Sequence, residues 1–255
     1  MDRNRSSDQF VRAPHPPLTG YYTDESRRIG WVRRMFDGTA SDYERIEHVI
    51  SLGTGSRYRR EALLRAGLGP GSRVLDVGAG TGLVARQAAA IVGDPAQVVG
   101  IDPSTGMLRS ARVPPGLALV AGTAECLPFA DGSFDFLSMG YALRHVSDLS
   151  SAFREFFRVL KPGGRLCILE ITRPQASLYA AMLKTYLHRV VPWLAKIASS
   201  SRDTADLWRY HWDTIEACAP PQSVLHTLGA AGLADVRRHV ELGIFSEYHA
   251  RRPAS

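Results

Sequence analysis

The stretch VLDVGAGTG, Val74 to Gly82, constrains the fold more than any other, because a short apolar run ends in three alternate glycines and amphipathic sequence follows at once. A strand that stops at glycines and reopens as a helix is the first unit of a doubly wound parallel sheet, whose ligands bind at the carboxyl ends of the strands. The alternation continues downstream. Strands are predicted at Arg73–Val77, Val98–Ile101, Leu117–Ala121, Phe134–Ser138 and Arg165–Glu170, with helices over LVARQAAAIV, PSTGMLRSAR and LSSAFREFFRVL between them. The last helix puts Phe153, Phe156, Phe157 and Leu160 on one face and is stopped by KPGG, which turns the chain into the next strand.

A chain of 255 residues, 45% of them hydrophobic, suits one sizeable α/β domain. Cys126, Cys167 and Cys218 lack paired or metal-ligand spacing, so neither a disulfide framework nor a metal is expected, and a reducing cytoplasm fits. Residues 1–25 are polar and proline-punctuated and read as a disordered tail without a signal-peptide core. No later window approaches a membrane span, so a soluble protein is expected. The formal charge of +6 is mostly arginine and scattered. It forms no nucleic-acid patch and leaves peripheral contact with an anionic membrane open.

The glycines Gly78, Gly80 and Gly82 are spaced G-x-G-x-G and depart from the dinucleotide fingerprint G-x-G-x-x-G. Asp76 on the strand before them argues against a pyrophosphate. About twenty residues on, Asp102 closes VVGID, placed to accept hydrogen bonds from both hydroxyls of a ribose. After the third strand, GTAECLPF offers a polar side chain and a free backbone amide that could read the edge of an adenine. Together these describe a nucleoside carrying a cation.

The ordered set VLDVGAGTG, VVGIDPSTGML, GTAECLPFADGSFD, YALRHVSD and VLKPGGRLCILEITRP resembles the class I S-adenosylmethionine-dependent methyltransferases, and within them the ubiquinone/menaquinone biosynthesis C-methyltransferase family. The likeness extends to MFDGTASDY and SLGTGSRYRREAL before the core and to GIFSEYHARRP at the end. It implies a Rossmann-like α/β fold, a mostly parallel seven-stranded sheet with helices on both faces. A methyltransferase domain is expected over residues 26–255, with N-terminal helices and a helical lid insertion at about 175–216. The implied cofactor is S-adenosyl-L-methionine. On the family pattern Gly78, Gly80 and Thr81 would surround its methionine moiety, with Asp76 favouring the cationic amino end. Asp102 would hold the ribose, Thr123 and Ala124 the adenine, and Gly140 would lie beside the cofactor at the end of the fourth strand. Thr123 stands where the family usually has aspartate or asparagine, and Gly140 where many members have serine.

A sulfonium methyl is already reactive, so the protein mainly has to align an acceptor and exclude water. If the acceptor is a ring carbon of a phenol or hydroquinone, a base for the neighbouring hydroxyl and a cation for the phenolate help. Arg144 and His145 in YALRHV are the catalytic candidates, and the family usually shows arginine and asparagine there. The plainer readings are an ion pair of Arg144 with Asp148 and a solvated His145 at a helix start. His211 in DLWRYHWDTI is a secondary base. In the segment ASLYAAMLKTYLHRVVPWLAKIASS, Leu183, Leu187, Val190, Val191 and Leu194 make a helical stripe beside Lys184, His188, Arg189 and Lys196. It could cover an oily substrate, rest on a bilayer or pack as a core-facing helix pair. The family's tyrosine–aspartate–asparagine pattern has become YERIE at Tyr43 to Glu47, and its YRYL has become WRYH. Both changes fall in helices expected to line the acceptor pocket. They leave the acceptor open between a lipophilic phenol or quinol methylated on carbon and a phenolic or polyketide natural product methylated on oxygen. A homodimer also stays open. Glycine spacing argues against a dehydrogenase, and no DNA-binding helical motif supports a regulator.

Overall fold

A computed structural model describes residues 13–22, 25–51, 53–174, 176–191 and 202–254. Seven strands, β1 Val74–Val77, β2 Val98–Asp102, β3 Ala118–Ala121, β4 Phe134–Gly140, β5 Leu160–Ile171, β6 Ala234–Glu241 and β7 Phe245–Arg251, form one sheet in the order β3-β2-β1-β4-β5-β7-β6. Only β7 runs against its neighbours, between β5 and β6. The centre is buried on both faces, which is why VLDV carries apolar residues at consecutive positions. Alternate side chains sort into two cores. Leu75, Val77, Leu137 and Ile168 meet the phenylalanines of α5 (Leu149–Val159) and Val224 and Leu228 of α8 (Pro221–Ala230). Val74, Phe136, Cys167 and Leu169 meet α2 (Gly55–Arg65) and α3 (Leu83–Val92), whose Ala85, Ala88 and Ala89 let that helix lie close to the sheet.

The predicted strands and α3 stand where the sequence places them, while several boundaries move for local reasons. Asp148 caps α5 by accepting from Ser150 N at 2.9 Å and Ser151 N at 3.1 Å. The helix ends at Val159, so Leu160 belongs to β5, and KPGG lies inside that strand as a bulge where pairing jumps from Phe134–Leu160 to Phe136–Arg165. PSTGMLRSAR shortens to α4 (Thr105–Ser110), capped by the Ser104 hydroxyl.

Residues 13–22 differ from the expected tail. His15 and Tyr22 are buried, Pro14 O accepts from Ala219 N at 2.6 Å, and Tyr21 donates to Asp213 at 2.6 Å between the rings of Trp31 and Tyr210. Leu18, Tyr21 and Tyr22 supply anchors that the proline-rich composition obscures. The first twelve residues lie outside the described part.

The long α1 (Glu25–Ile50) crosses the carboxyl ends of the strands, pinned where Asp37 accepts from the Ser104 hydroxyl at 2.6 Å and from Gly106 N at 2.8 Å. After β5 come α6 (Ser177–Thr185), one π-helical turn at Tyr186–Val190, and α7 (Arg202–Ala217). The wide turn shifts the helical phase, so Leu187 and Val191 pack on Ile46, Trp208 and Trp212 while Val190 faces out. Leu194 and Lys196 of the predicted segment lie outside the described residues.

Candidate active site

A cavity of about 410 Å³ opens at the carboxyl ends of β1, β2, β3 and β4. Its floor is the glycine loop. Gly78, Gly80 and Gly82 have φ of 69°, 55° and 88°, left-handed values that favour glycine. A Cβ at Gly78 would sit 2.5 Å from that of Ala142, whereas at Gly80 it would meet nothing within 4 Å, leaving the cavity face of the loop bare.

Asp102 is fixed edge-on by two backbone donors, Gly80 N at 2.8 Å on one oxygen and Ser104 N at 2.7 Å on the other. Burial pushes its carboxyl up to about 6, while those two donors pull it down. A carboxylate held this way can still accept from a pair of hydroxyls on the cavity side, which fits a ribose. Thr81 brings a buried hydroxyl with no hydrogen-bond partner. Asp76 lies behind the lining, accepting from the Ser138 hydroxyl at 2.7 Å, with its other oxygen unpartnered and its carboxyl raised by burial to about 7. A bare glycine loop, a diol-accepting carboxylate and orphaned polar atoms near it fit S-adenosylmethionine. Thr123 is exposed and Ala124 buried, and both line the cavity beyond the end of β3. Gly140 lines the wall, and a Cβ there would lie 2.5 Å from Val84 Cγ2, so close packing of α3 accounts for glycine at this position.

Arg144 and His145 part company. Arg144 is 1% exposed and does not line the cavity. Its guanidinium donates to Thr214 Oγ1 of α7 at 3.1 Å and to Tyr141 O at 3.1 Å, and its ion pair is with Glu170 of β5 where the sequence suggested Asp148. Tyr141 is held at φ 59°, a strained value for a non-glycine residue. His145 does line the cavity, its ring stacked on Tyr210 (centroids 5.6 Å apart, 22° between planes) and edge-on to Phe36 at 5.2 Å. Neither ring nitrogen has a hydrogen-bond partner. Burial first, then the Arg144 charge, hold it well below the usual histidine range, so the ring is neutral. His211 joins it from α7, its Nδ1 3.0 Å from Leu207 O and its pKa lowered to about 3 by burial and Arg144.

Of the lid expected at about 175–216, His211 lines the cavity, and α1 supplies the rest of the roof. Ile29, Val32, Arg33, Phe36 and Tyr43 of α1 cover the cavity, and no described residue of 176–191 lines it. Tyr43 belongs to a helix the sequence expected at the acceptor pocket, whereas Ile29, Val32, Arg33, Phe36 and Arg59 of α2 had no expected role. The signal for Phe36 and Arg59 was the family likeness of MFDGTASDY and SLGTGSRYRREAL, and Ile29, Val32 and Arg33 had none. Arg59 is buried at the cavity wall, donating to Glu47 at 2.7 Å with its guanidinium 5.4 Å over the Tyr141 ring. Away from the cavity, His239, Glu241 and Glu247 bring potential ligand atoms within 4.8 Å of one another, but Arg65 already pairs with both carboxylates.

The sheet order, the bare glycine loop and the carboxylate ending β2 define a class I S-adenosylmethionine-dependent methyltransferase. Solved structures with this fold include a SAM-dependent methyltransferase from Aquifex aeolicus (TM-score 0.57, 19% identity, 82% of this chain and 97% of that one). The [4+2]-cyclase SpnF shares the fold as well (TM-score 0.64, 18% identity, 96% and 100%). The chain belongs to the ubiE/COQ5 methyltransferase family, whose model matches residues 22–250. Among its relatives are the demethylmenaquinone methyltransferases of Mycolicibacterium paratuberculosis (37% identity, 87% of this chain and 94% of that one) and Beutenbergia cavernae (38%, 88% and 92%).

Proposed function

We propose that the chain methylates a ring carbon of a lipophilic phenol or hydroquinone of the demethylmenaquinol type. The observation that carries this reading is the continuity of the cavity: Gly80 and Asp102 line the same space as Phe36, Tyr43, His145 and His211. S-adenosylmethionine supplies, when bound, a sulfonium methyl that a carbon nucleophile can displace. Asp102 holds its ribose, Thr123 and Ala124 border the base, and the glycine loop with Thr81 surrounds the methionine moiety, whose cationic amino end Asp76 favours. The aromatic wall accepts the flat face of an acceptor ring and keeps water out. His145 is the candidate base for the acceptor's hydroxyl, against burial and an Arg144 charge that both oppose a protonated ring, and Arg144 acts from behind the wall, where that charge favours a developing phenolate.

Histidines where the family usually has asparagine and leucine favour one second reading, methylation of the oxygen itself in a phenolic natural product. Incubation with a prenylated 1,4-dihydroxynaphthalene and methyl-labelled cofactor, followed by NMR of the product, separates the two. The label is expected on a ring carbon adjacent to a hydroxyl-bearing carbon, and an O-methyl signal would reverse the assignment. An acceptor of this kind resides in lipid. We accordingly place the chain in the cytoplasm at the inner membrane face, a reading supported by exposed Leu178, Met182 and Leu242, which are 75%, 62% and 71% accessible. Among the described residues no helix is long and apolar enough to cross a membrane.

A further inference from the structure

Among the described residues the cavity wall carries two carboxylates, Asp102 at the end of β2 and Glu125 after β3. Both oxygens of Asp102 accept from backbone amides, Gly80 N on one and Ser104 N on the other, at the place proposed for the ribose. Glu125 is held differently. It sits in a turn closed by Cys126 N donating to Thr123 O at 3.4 Å, which keeps Thr123, Ala124 and Glu125 together on the cavity wall. One of its oxygens is used: Oε1 accepts from Ser147 N at 2.6 Å and from Asp148 N at 3.4 Å, which ties the turn to the loop after β4. Oε2 takes no hydrogen bond from the described residues, and unlike the ring nitrogens of His145 it keeps accessible surface. A carboxylate oxygen accepts and never donates, so Oε2 suits a ligand with an N–H or O–H to give. The edge of an adenine offers one such group, the exocyclic amine. Thr123 stands where the family pattern has aspartate or asparagine, so the carboxylate or amide acceptor expected at 123 is missing, and Glu125 brings a carboxylate two residues further on.

We propose that Glu125 reads the exocyclic amine of the cofactor's adenine, Oε2 accepting an N–H of that amine while Oε1 stays on the Ser147 amide. This rests on the base lying against Thr123 and Ala124, as proposed above. The anchor decides which atom faces the ligand. A backbone amide can only donate, so whatever atom it meets at 125 must accept. A glutamine there turns its carbonyl to Ser147 and its NH₂ to the cavity, and the site changes from one that takes a donor to one that takes an acceptor. Ser147 lines the cavity beside His145 and Val146, so the base and the loop carrying the candidate acceptor residues share this anchor.

Calorimetry with three ligands tests the contact without turnover: S-adenosylhomocysteine, its purine analogue in which hydrogen replaces the amine, and S-inosylhomocysteine, in which oxygen replaces it. The native chain is expected to prefer S-adenosylhomocysteine over the purine analogue by about tenfold or more, the loss of one charge-assisted hydrogen bond. Glu125→Gln is expected to cut that preference to about threefold or less. The same variant is expected to bind S-inosylhomocysteine about tenfold more tightly than the native chain does, a gain that a merely loosened turn does not produce. Thr123→Asp added to Glu125→Gln is expected to restore the preference for the amine. Equal binding of S-adenosylhomocysteine and the purine analogue by the native chain, or a native preference that survives in Glu125→Gln, overturns the contact. A preference lost in Thr123→Val and kept in Glu125→Gln gives the amine to the Thr123 hydroxyl and overturns it as well. In each of these cases weaker binding of S-adenosylhomocysteine by Asp102→Ala leaves the cofactor placement standing. A native chain that binds none of the three ligands overturns the cofactor placement and the Glu125 contact together.

Discussion

Asp102, proposed to hold the ribose, is set by the fold itself: two backbone amides orient it, and burial raises it to about 6. A raised carboxylate is protonated on the acid side of that value, and a protonated one accepts poorly from ribose hydroxyls. Affinity for S-adenosylhomocysteine is therefore expected to hold above about pH 7 and to weaken as pH falls through 6, with Asp76, raised to about 7, acting in the same direction. Calorimetry across this range checks it, and an affinity that rises on acidification would remove Asp102 from the site. Asp102→Ala at neutral pH is expected to cost about 1–3 kcal/mol of binding. Gly140 shows the limit of reading residues one at a time. Glycine where many family members carry serine suggests a missing hydrogen bond to the cofactor, whereas the wall places Val84 Cγ2 2.5 Å from any Cβ there. Gly140→Ser is thus expected to destabilise the fold by about 1–3 kcal/mol in urea melts through overpacking, and an unchanged midpoint would contradict that.

Between elements, the Arg144–Glu170 pair joins the loop after β4 to the end of β5, and Thr214 ties it to α7. Its enclosure makes it a joint of the fold as much as a source of charge. Glu170→Ala strands a buried cation and is expected to cost about 3–5 kcal/mol of stability, whereas Arg144→Met with Glu170→Leu is expected to recover most of it and still lose activity. Thermal melts beside methyl-transfer assays check both halves. Arg144 could be read from YALRHV as important, but its partner could not, because Glu170 is distant in sequence and Asp148 is close. The parallel strands were legible since their runs are apolar on both faces. By contrast, β6 alternates partly buried and exposed positions at the sheet edge and carries Arg237, Arg238 and His239, so its pattern resembles a loop. The π turn at Tyr186–Val190 has no sequence signature that would move Val190 outward.

Over the whole molecule, the loops proposed to hold the cofactor follow strands that the sequence made plain, while the roof depends on ties between distant segments that no local pattern announces. Asp37 holds α1 to the start of α4, Glu44 pairs with Arg86 of α3 at 2.8 Å, and Glu47 pairs with Arg59 of α2 at 2.7 Å. Tyr21, just before α1, is tied to α7 through Asp213. Any ligand that fills the cavity touches both the sheet ends and α1, so binding and the seating of α1 are coupled. Asp37 is the tie linked to Asp102, the proposed ribose ligand, since Ser104 bonds to both Asp37 and Asp102. Asp37→Ala is expected to speed hydrogen exchange along α1 and to raise the release rate of S-adenosylhomocysteine by about tenfold, leaving exchange in β1 and β4 unchanged. In the native chain the same ligand is expected to slow exchange in α1 more than in α5, which lies outside the cavity. Equal protection of the two helices, or a variant whose α1 exchanges as slowly as the native helix, would mean that the roof is rigid and that ligands enter without moving it.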